Sequence, residues 1–282
     1  MSNRTTVLIT GASTGIGAVY ADRFAKRGHN LILVARDFER LELLSNRLWA
    51  ETGVNVEVEV ADLTNKADLL RIEERLRTDP KIDILVNNAG MGAFGTVVNG
   101  DVDNFETVIA LNVTAPTRLA TAAATAFAKR GHGSIINLSS VLALAPERTN
   151  PVYGGTKAFL LNFSQALAHQ AEEIGVHVQV VLPGATRTEI WQRAGKDVNT
   201  LDPKMVMDVH DLVDAALAGF DAGESVTIPS LPDVKDWQSF EAARLWLAPN
   251  LSRNRPAPRY RVNTTARQEE PAREKELAWE DG

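Results

Sequence analysis

The segment Thr6-Val7-Leu8-Ile9-Thr10-Gly11-Ala12-Ser13-Thr14-Gly15-Ile16-Gly17 decides the fold. Its first five residues form a short, largely apolar run, the pattern of a strand buried on both faces. Glycines follow in the spacing G-x-x-x-G-x-G, and an amphipathic run then extends to Gly28. A strand that turns on glycines into a helix is the opening βα unit of a doubly wound sheet. Glycines let the backbone pass close beneath a pyrophosphate, and the helix N-terminus offers free N–H groups and positive dipole to it. Taken alone, the turn is also compatible with a simple tight connection.

Strand and helix patterns alternate outward from this unit. Strands are expected at Asn30–Ala35, Asn55–Val60, Ile82–Val86, Ser134–Leu138, Val176–Leu182 and Ser225–Ile228. Helices are expected at Phe38–Trp49, Leu63–Arg77, Asp103–Arg130, Val152–Ile174, Asp208–Asp221 and Asp236–Leu247. Short apolar strands separated by helices imply an α/β fold, a Rossmann-type parallel sheet covered on both faces. Ligands of such sheets bind at the carboxyl ends of the strands. Gly11, Asn87, Ser140 and Pro183 all fall just after expected strand ends. The reading gives one catalytic domain over residues 1–228 and a C-terminal extension over 229–262. Residues 263–282 form a polar tail expected to be flexible, with Trp279 as a lone anchor.

Composition narrows the function. A net charge of −6 and a pI of about 5.5 give no basic footprint for nucleic acid or an anionic membrane. The absence of cysteine removes disulfides and thiolate metal sites. Five histidines form no i,i+4 pair, so no metal site is assigned. The polar start and the lack of a long apolar run lead to the expectation of a cytoplasmic protein without a membrane partner.

Tyr153 and Lys157 stand at i and i+4, on one helix face. A free phenol titrates near pH 10, and a nearby ammonium is expected to lower that value. Ser140, thirteen residues before Tyr153, is placed to hold a substrate oxygen, although Ser139 competes for the role. Arg36 closes the second strand where NAD-preferring folds carry an acid, here replaced by Ala35. A guanidinium at this point stacks on adenine and pairs with a 2′-phosphate, which favours NADP over NAD. Asp62, followed by Leu63, is placed either to accept from an adenine amino group or to cap the next helix.

Together these motifs make the chain resemble the short-chain dehydrogenases/reductases, over about residues 5–228. Thr10–Gly17 is similar to the family's TGxxxGxG turn, and Asn87-Asn88-Ala89-Gly90 to its NNAG segment. Tyr153-Gly154-Gly155-Thr156-Lys157 is similar to YxxxK, and Asn112 to the helix asparagine of a water-mediated proton relay. Pro183-Gly184-Ala185-Thr186-Arg187-Thr188 is similar to PGxxxT.

The resemblance implies catalysis by Asn112, Ser140, Tyr153 and Lys157. It implies cofactor contacts from Gly11, Ser13, Thr14, Gly15, Ile16, Gly17, Arg36, Asp62, Leu63, Asn88, Ala89, Gly90, Tyr153, Lys157, Pro183, Gly184 and Thr188. The expected reaction is NAD(P)-dependent interconversion of a small-molecule carbonyl, ketone or aldehyde, with its alcohol, NADP being preferred to NAD, in a homodimer or homotetramer. Residues 185–206 are the expected substrate flap, facing Met91, Val141, Leu142 and Leu144 across an apolar pocket or simply packing on itself. The competing reading is a non-catalytic NADP(H)-binding regulatory protein, which has no need of the proton relay.

Overall fold

The sheet is all parallel, with strand order β3-β2-β1-β4-β5-β6-β7. Its strands are β1 (Thr6–Thr10), β2 (Asn30–Ala35), β3 (Val56–Val60), β4 (Ile82–Asn87), β5 (Gly133–Leu138), β6 (Val176–Val181) and β7 (Val226–Thr227). The computed structural model describes residues 4–93, 95–193 and 197–261. The strand order reverses between β1 and β4, and a crevice opens at that switch point beyond the strand ends.

Side-chain alternation sorts β1 between two cores. Val7 and Ile9 join the layer of α1 (Gly15–Lys26), α2 (Phe38–Thr52) and α8 (Val209–Asp221). There they are grouped with Tyr20, Phe24, Leu41, Leu48 and Leu217. Leu8 joins the opposite layer of α3 (Lys66–Thr78), α5 (Ala115–Arg130) and α6 (Pro151–Ala171), with Ile72, Leu76, Leu119 and Phe127. Removing these side chains from water is the main favourable term in folding. The edge strand β3 is protected by charge: Arg71 pairs with Glu59 and Arg75 with Glu57.

Several boundaries differ from the sequence pattern, and three bear on the reading of the sheet and its crevice. The helix expected from Leu63 begins at Lys66, because Asn65 Oδ1 accepts from the N–H groups of Ala67 and Asp68. The long helix expected over 103–130 is α4 (Val102–Ile109), a π-helical turn (Ala110–Thr114) and then α5. Pro116, which has no N–H to continue an α-helical ladder, lies just beyond the π turn. The last strand is reduced to Val226–Thr227, paired only with Val180 and Val181.

By contact pattern the chain divides after Ser230, and the second unit contains α9 (Val234–Trp246). Within that unit Trp237 stacks on Phe240 at 5.4 Å between ring centroids. The tail over 263–282 and its Trp279 anchor lie outside the described residues.

A polar ladder crosses the buried interior from β4 to α6. Asn87 Nδ2 donates to Asn137 Oδ1 at 2.9 Å, and Asn137 Nδ2 donates to Ser164 Oγ at 2.9 Å. Ser164 in turn donates to the Leu160 carbonyl. Ser164→Ala leaves the Asn137 amide without that acceptor, so a loss of about 1–3 kcal/mol is expected in urea unfolding. A change below about 0.5 kcal/mol, the size of an ordinary surface substitution, would mean that the ladder adds nothing to the hold on α6.

Candidate active site

The glycine turn after β1 is fastened to the end of β4. Asn88 Nδ2 donates to the Thr10 and Gly11 carbonyls at 2.9 and 3.1 Å. Thr10 Oγ1 accepts from the Asn88 and Ala89 N–H groups, both at 3.0 Å. A Cβ on Gly17 would sit 2.4 Å from the Gly11 oxygen and 2.5 Å from Asn88 Nδ2. Gly11 has φ +64° and would carry its Cβ 2.9 Å from the Ala89 backbone. The turn is therefore a cradle that a side chain at either position would fill. Thr10 stands in the quoted motif, but its role as a lock emerges only in three dimensions.

Beside this cradle lie the ends of β2 and β3. Arg36 is well exposed and lies 3.8 Å from Asp62. Asp37 caps α2 by accepting from the Arg40 N–H, so its carboxylate is engaged with the helix end. Asp62 does not cap α3; Asn65 does. Asp62 Oδ1 instead accepts from the N–H and hydroxyl of Thr64. These hydrogen bonds and the Arg36 charge outweigh partial burial and hold its carboxyl below the usual carboxylate range. The Leu63 side chain is buried in the core cluster that also holds Ala61 and Leu69.

At the centre of the crevice α6 is tied to the end of β5. Asn150 caps α6 through the Val152 and Tyr153 N–H groups, with Pro151 in the first turn. This cap sets Tyr153 at the start of the helix. One turn on, Lys157 Nζ donates to the Leu138 carbonyl at 2.9 Å and lies 5.8 Å from the Tyr153 ring centroid. Ser139 Oγ donates to the Lys157 carbonyl at 2.7 Å. Ser140 Oγ accepts from the Leu142 N–H at 3.2 Å and donates to the Pro183 carbonyl at 3.4 Å, and its side chain is near enough to the Tyr153 phenol to favour the phenolate. The two serines are thereby separated: Ser139 anchors the helix and Ser140 stands beside the phenol.

Asn112 lies in the π turn and is buried. Its carboxamide accepts from the Met91 N–H and donates to the Met91 carbonyl and to Thr156 Oγ1. It thus links the segment after β4 to α6, one residue before Lys157. A Cβ on Gly90 would meet Asn112 Oδ1 at 3.2 Å and Lys157 Nζ at 3.5 Å, so these three residues converge. The part played by Thr156 was not legible in the YxxxK spacing, which leaves that position open.

The electrostatics differ from the sequence expectation. Burial raises the Tyr153 phenol above its ordinary value, and the Ser140 side chain offsets only part of this. Lys157 does not offset this rise, and burial pushes its own amine down to about 8.

The segment after β6 forms the remaining wall. The Pro183 carbonyl accepts from Val141 N at 3.0 Å, and Thr188 Cγ2 would lie 3.3 Å from a Cβ on Gly15. This segment is closed at its base, where Thr186 bridges Met207 in parallel. Between these ends lie the short helix α7 (Ile190–Arg193) and 3₁₀ turns at Val198–Thr200 and Pro203–Met205. The Trp191 indole donates to the Thr186 carbonyl at 2.8 Å. Lys196, read as part of the flap, lies outside the described residues.

The family model for short chain dehydrogenases matches residues 5–199. The chain belongs to this family. A short-chain dehydrogenase from Sphingobium yanoikuyae, solved in complex with NADPH, is 53% identical with a TM-score of 0.89. The match covers 91% of this dehydrogenase and 100% of that chain. A bulky-bulky ketone specific alcohol dehydrogenase from Comamonas testosteroni is 49% identical, TM-score 0.85, over 92% of this chain and 99% of its own. Serine 3-dehydrogenase of Rhizobium radiobacter is 40% identical over 187 residues, 65% of this chain and 73% of that protein.

The Lys157 shift gives the dehydrogenase a pH signature. Its amine binds a proton less readily when folded, near 8, than at the unperturbed value of 10.5. Between those values the unfolded chain holds more protons, so this group makes stability rise with pH across the window. Lys157→Met removes the contribution. Wild type should therefore gain stability relative to the variant when urea midpoints at about pH 7.5 are compared with those at about pH 10. A gap that stays constant would show that Lys157 keeps its ordinary proton affinity.

Proposed function

We propose that this dehydrogenase moves hydride between NADP(H) and the carbonyl carbon of a ketone or aldehyde, at a site built from Ser140, Tyr153, Lys157 and Asn112. The observation that carries the reading is the buried Lys157, its ammonium held on the Leu138 carbonyl 5.8 Å from the Tyr153 ring centroid, with Ser140 two residues beyond Leu138 at the strand end next to the glycine cradle. The cradle fits a dinucleotide: Gly11 and Gly17 leave the room a side chain would take, and the N-terminus of α1 favours the pyrophosphate. Arg36, with Ala35 in place of an acid, fits the 2′-phosphate of NADP. The relative solved with NADPH supports the same choice.

Bound there, NADPH supplies the hydride. Ser140 donates a hydrogen bond to the carbonyl oxygen and holds it beside the phenol. Tyr153 donates its proton to that oxygen, and its raised pKa keeps it protonated at neutral pH. Lys157 keeps positive charge next to the phenol as proton transfer begins. Asn112 clamps Met91 and Thr156, and so holds the relay segment and α6 in register. In the reverse direction the same groups take a proton from a secondary alcohol.

For the substrate class we favour ketones bulky on both sides of the carbonyl, the class printed for the Comamonas relative. The apolar side chains of Val141, Leu142, Leu144 and Ile190 beside the site agree with this. We further propose a homodimer or homotetramer, and a catalytic domain ending near residue 228 with an extension to 262. A non-catalytic sensor of NADP(H) would need neither the Ser140–Tyr153 contact nor the Asn112 clamp, and is not favoured.

Tyr153→Phe should lower ketone-dependent NADPH oxidation by about 10²–10⁴-fold, with NADPH affinity retained in a fluorescence titration. Retained turnover would remove Tyr153 as the acid. Arg36→Asp should weaken NADPH by about tenfold or more, as expected for a lost charge-assisted contact, with little change for NADH. Equal losses for both nucleotides would remove the 2′-phosphate contact.

A further inference from the structure

Arg40 and Glu189 are separated by 149 residues, yet Arg40 NH1 donates to Glu189 Oε2 at 2.7 Å. Each belongs to a segment that bounds the cradle. Arg40 lies in the first turn of α2, one turn beyond Arg36. Its N–H bonds the Asp37 carboxylate, and its guanidinium lies 3.3 Å from the same group. Glu189 follows Thr188, whose methyl group stands over Gly15. The bend that carries both is braced by the Trp191 indole on the Thr186 carbonyl. The segment after β6 therefore reaches the glycine turn at Thr188 and is tied to α2 at Glu189.

A dinucleotide stretched along this turn has its adenosine end toward β2 and its nicotinamide end toward Tyr153. α2 follows Arg36 at the first end, and the bend follows Pro183 and Gly184 at the second. Arg40 and Glu189 thus connect the two segments that border opposite ends of the ligand. We propose that this ion pair is a clasp that retains the cofactor, its two members acting as positioning residues that set how long the nucleotide stays bound. The inference rests on the reading of the cradle as an NADP(H) site. Release requires the bend and α2 to part, and the pair resists that separation.

Both partners are about half exposed, so the contribution is small but measurable. Glu189→Gln, which keeps the size of the side chain, should speed NADPH release by about two- to fivefold, the range for an exposed pair. Release is read by stopped-flow loss of bound NADPH fluorescence on mixing with excess NADP⁺. NADH release should speed up by the same factor, because the clasp does not recognise the 2′-phosphate. Arg40→Gln should act likewise, and the exchange Arg40→Glu with Glu189→Arg should return the rate toward wild type. At about 1 M salt, where the screening length is near 3 Å, the wild-type and Glu189→Gln rates should converge.

Unchanged release from Glu189→Gln would overturn the clasp. So would an Arg40→Gln effect confined to NADPH, which would mark Arg40 as a direct phosphate contact. If wild type bound neither nucleotide, the cradle reading itself would fall and the clasp with it. Normal nucleotide binding with no Glu189→Gln effect would overturn the clasp alone.

Discussion

The hydrogen bonds from Asn88 to the Thr10 and Gly11 carbonyls are the constraint on which the site depends. They hold the turn after β1 against the end of β4, across the point where the strand order reverses. With that distance set, Gly17 has no space for a Cβ and the helix α1 must start close to the sheet. A helix N-terminus so placed offers the dipole and free N–H groups that favour a pyrophosphate. Thr10 completes the lock by accepting from two successive N–H groups of the β4 segment. A buried hydroxyl and a side-chain amide thus satisfy the backbone groups that a sharp turn leaves unpaired.

A second set of polar contacts orients the chemistry. Three successive residues of β5 and its end bind α6: Asn137 through Ser164, Leu138 through the Lys157 ammonium, and Ser139 through the Lys157 carbonyl. Buried polar groups are costly when unpaired, so each of these contacts favours one position of α6 against the sheet. That position puts Tyr153 within reach of Ser140. The same burial that fixes the geometry also shifts both pKa values, raising the phenol and lowering the amine. Packing and acid–base character therefore come from one arrangement.

The charged surface groups act mostly outside this centre. Arg71 and Arg75 cover the edge strand, and Asp22 is surrounded by Arg23, Lys26 and Arg47. Buried Asp22 is partly desolvated, yet its hydrogen bonds to these cations hold its carboxyl below the usual range. Arg40 differs in that its partner belongs to the flap side of the crevice, so its ion pair bears on ligand exchange as well as on stability.

The sequence by itself determined the strand and helix alternation, the glycine turn, and the pairing of Tyr153 with Lys157 on one helix face. These are properties of periodicity and of local backbone freedom, which neighbouring residues set. Asn112 and the segment from Pro183 to Thr188 stood out only through their resemblance to the family's motifs. Only the tertiary structure decided that Ser139 fastens α6 while Ser140 stands beside the phenol, since adjacent residues of an extended segment, here just past the end of β5, point to opposite sides. The same holds for Asn65 displacing Asp62 as the helix cap, for the π turn around Asn112, and for the contact between Arg40 and Glu189. The upward shift of Tyr153 belongs in this group too, because desolvation depends on atoms brought in from β5 and from the segment after β6. Chain-local rules contain no information about which distant groups exclude water from a given atom.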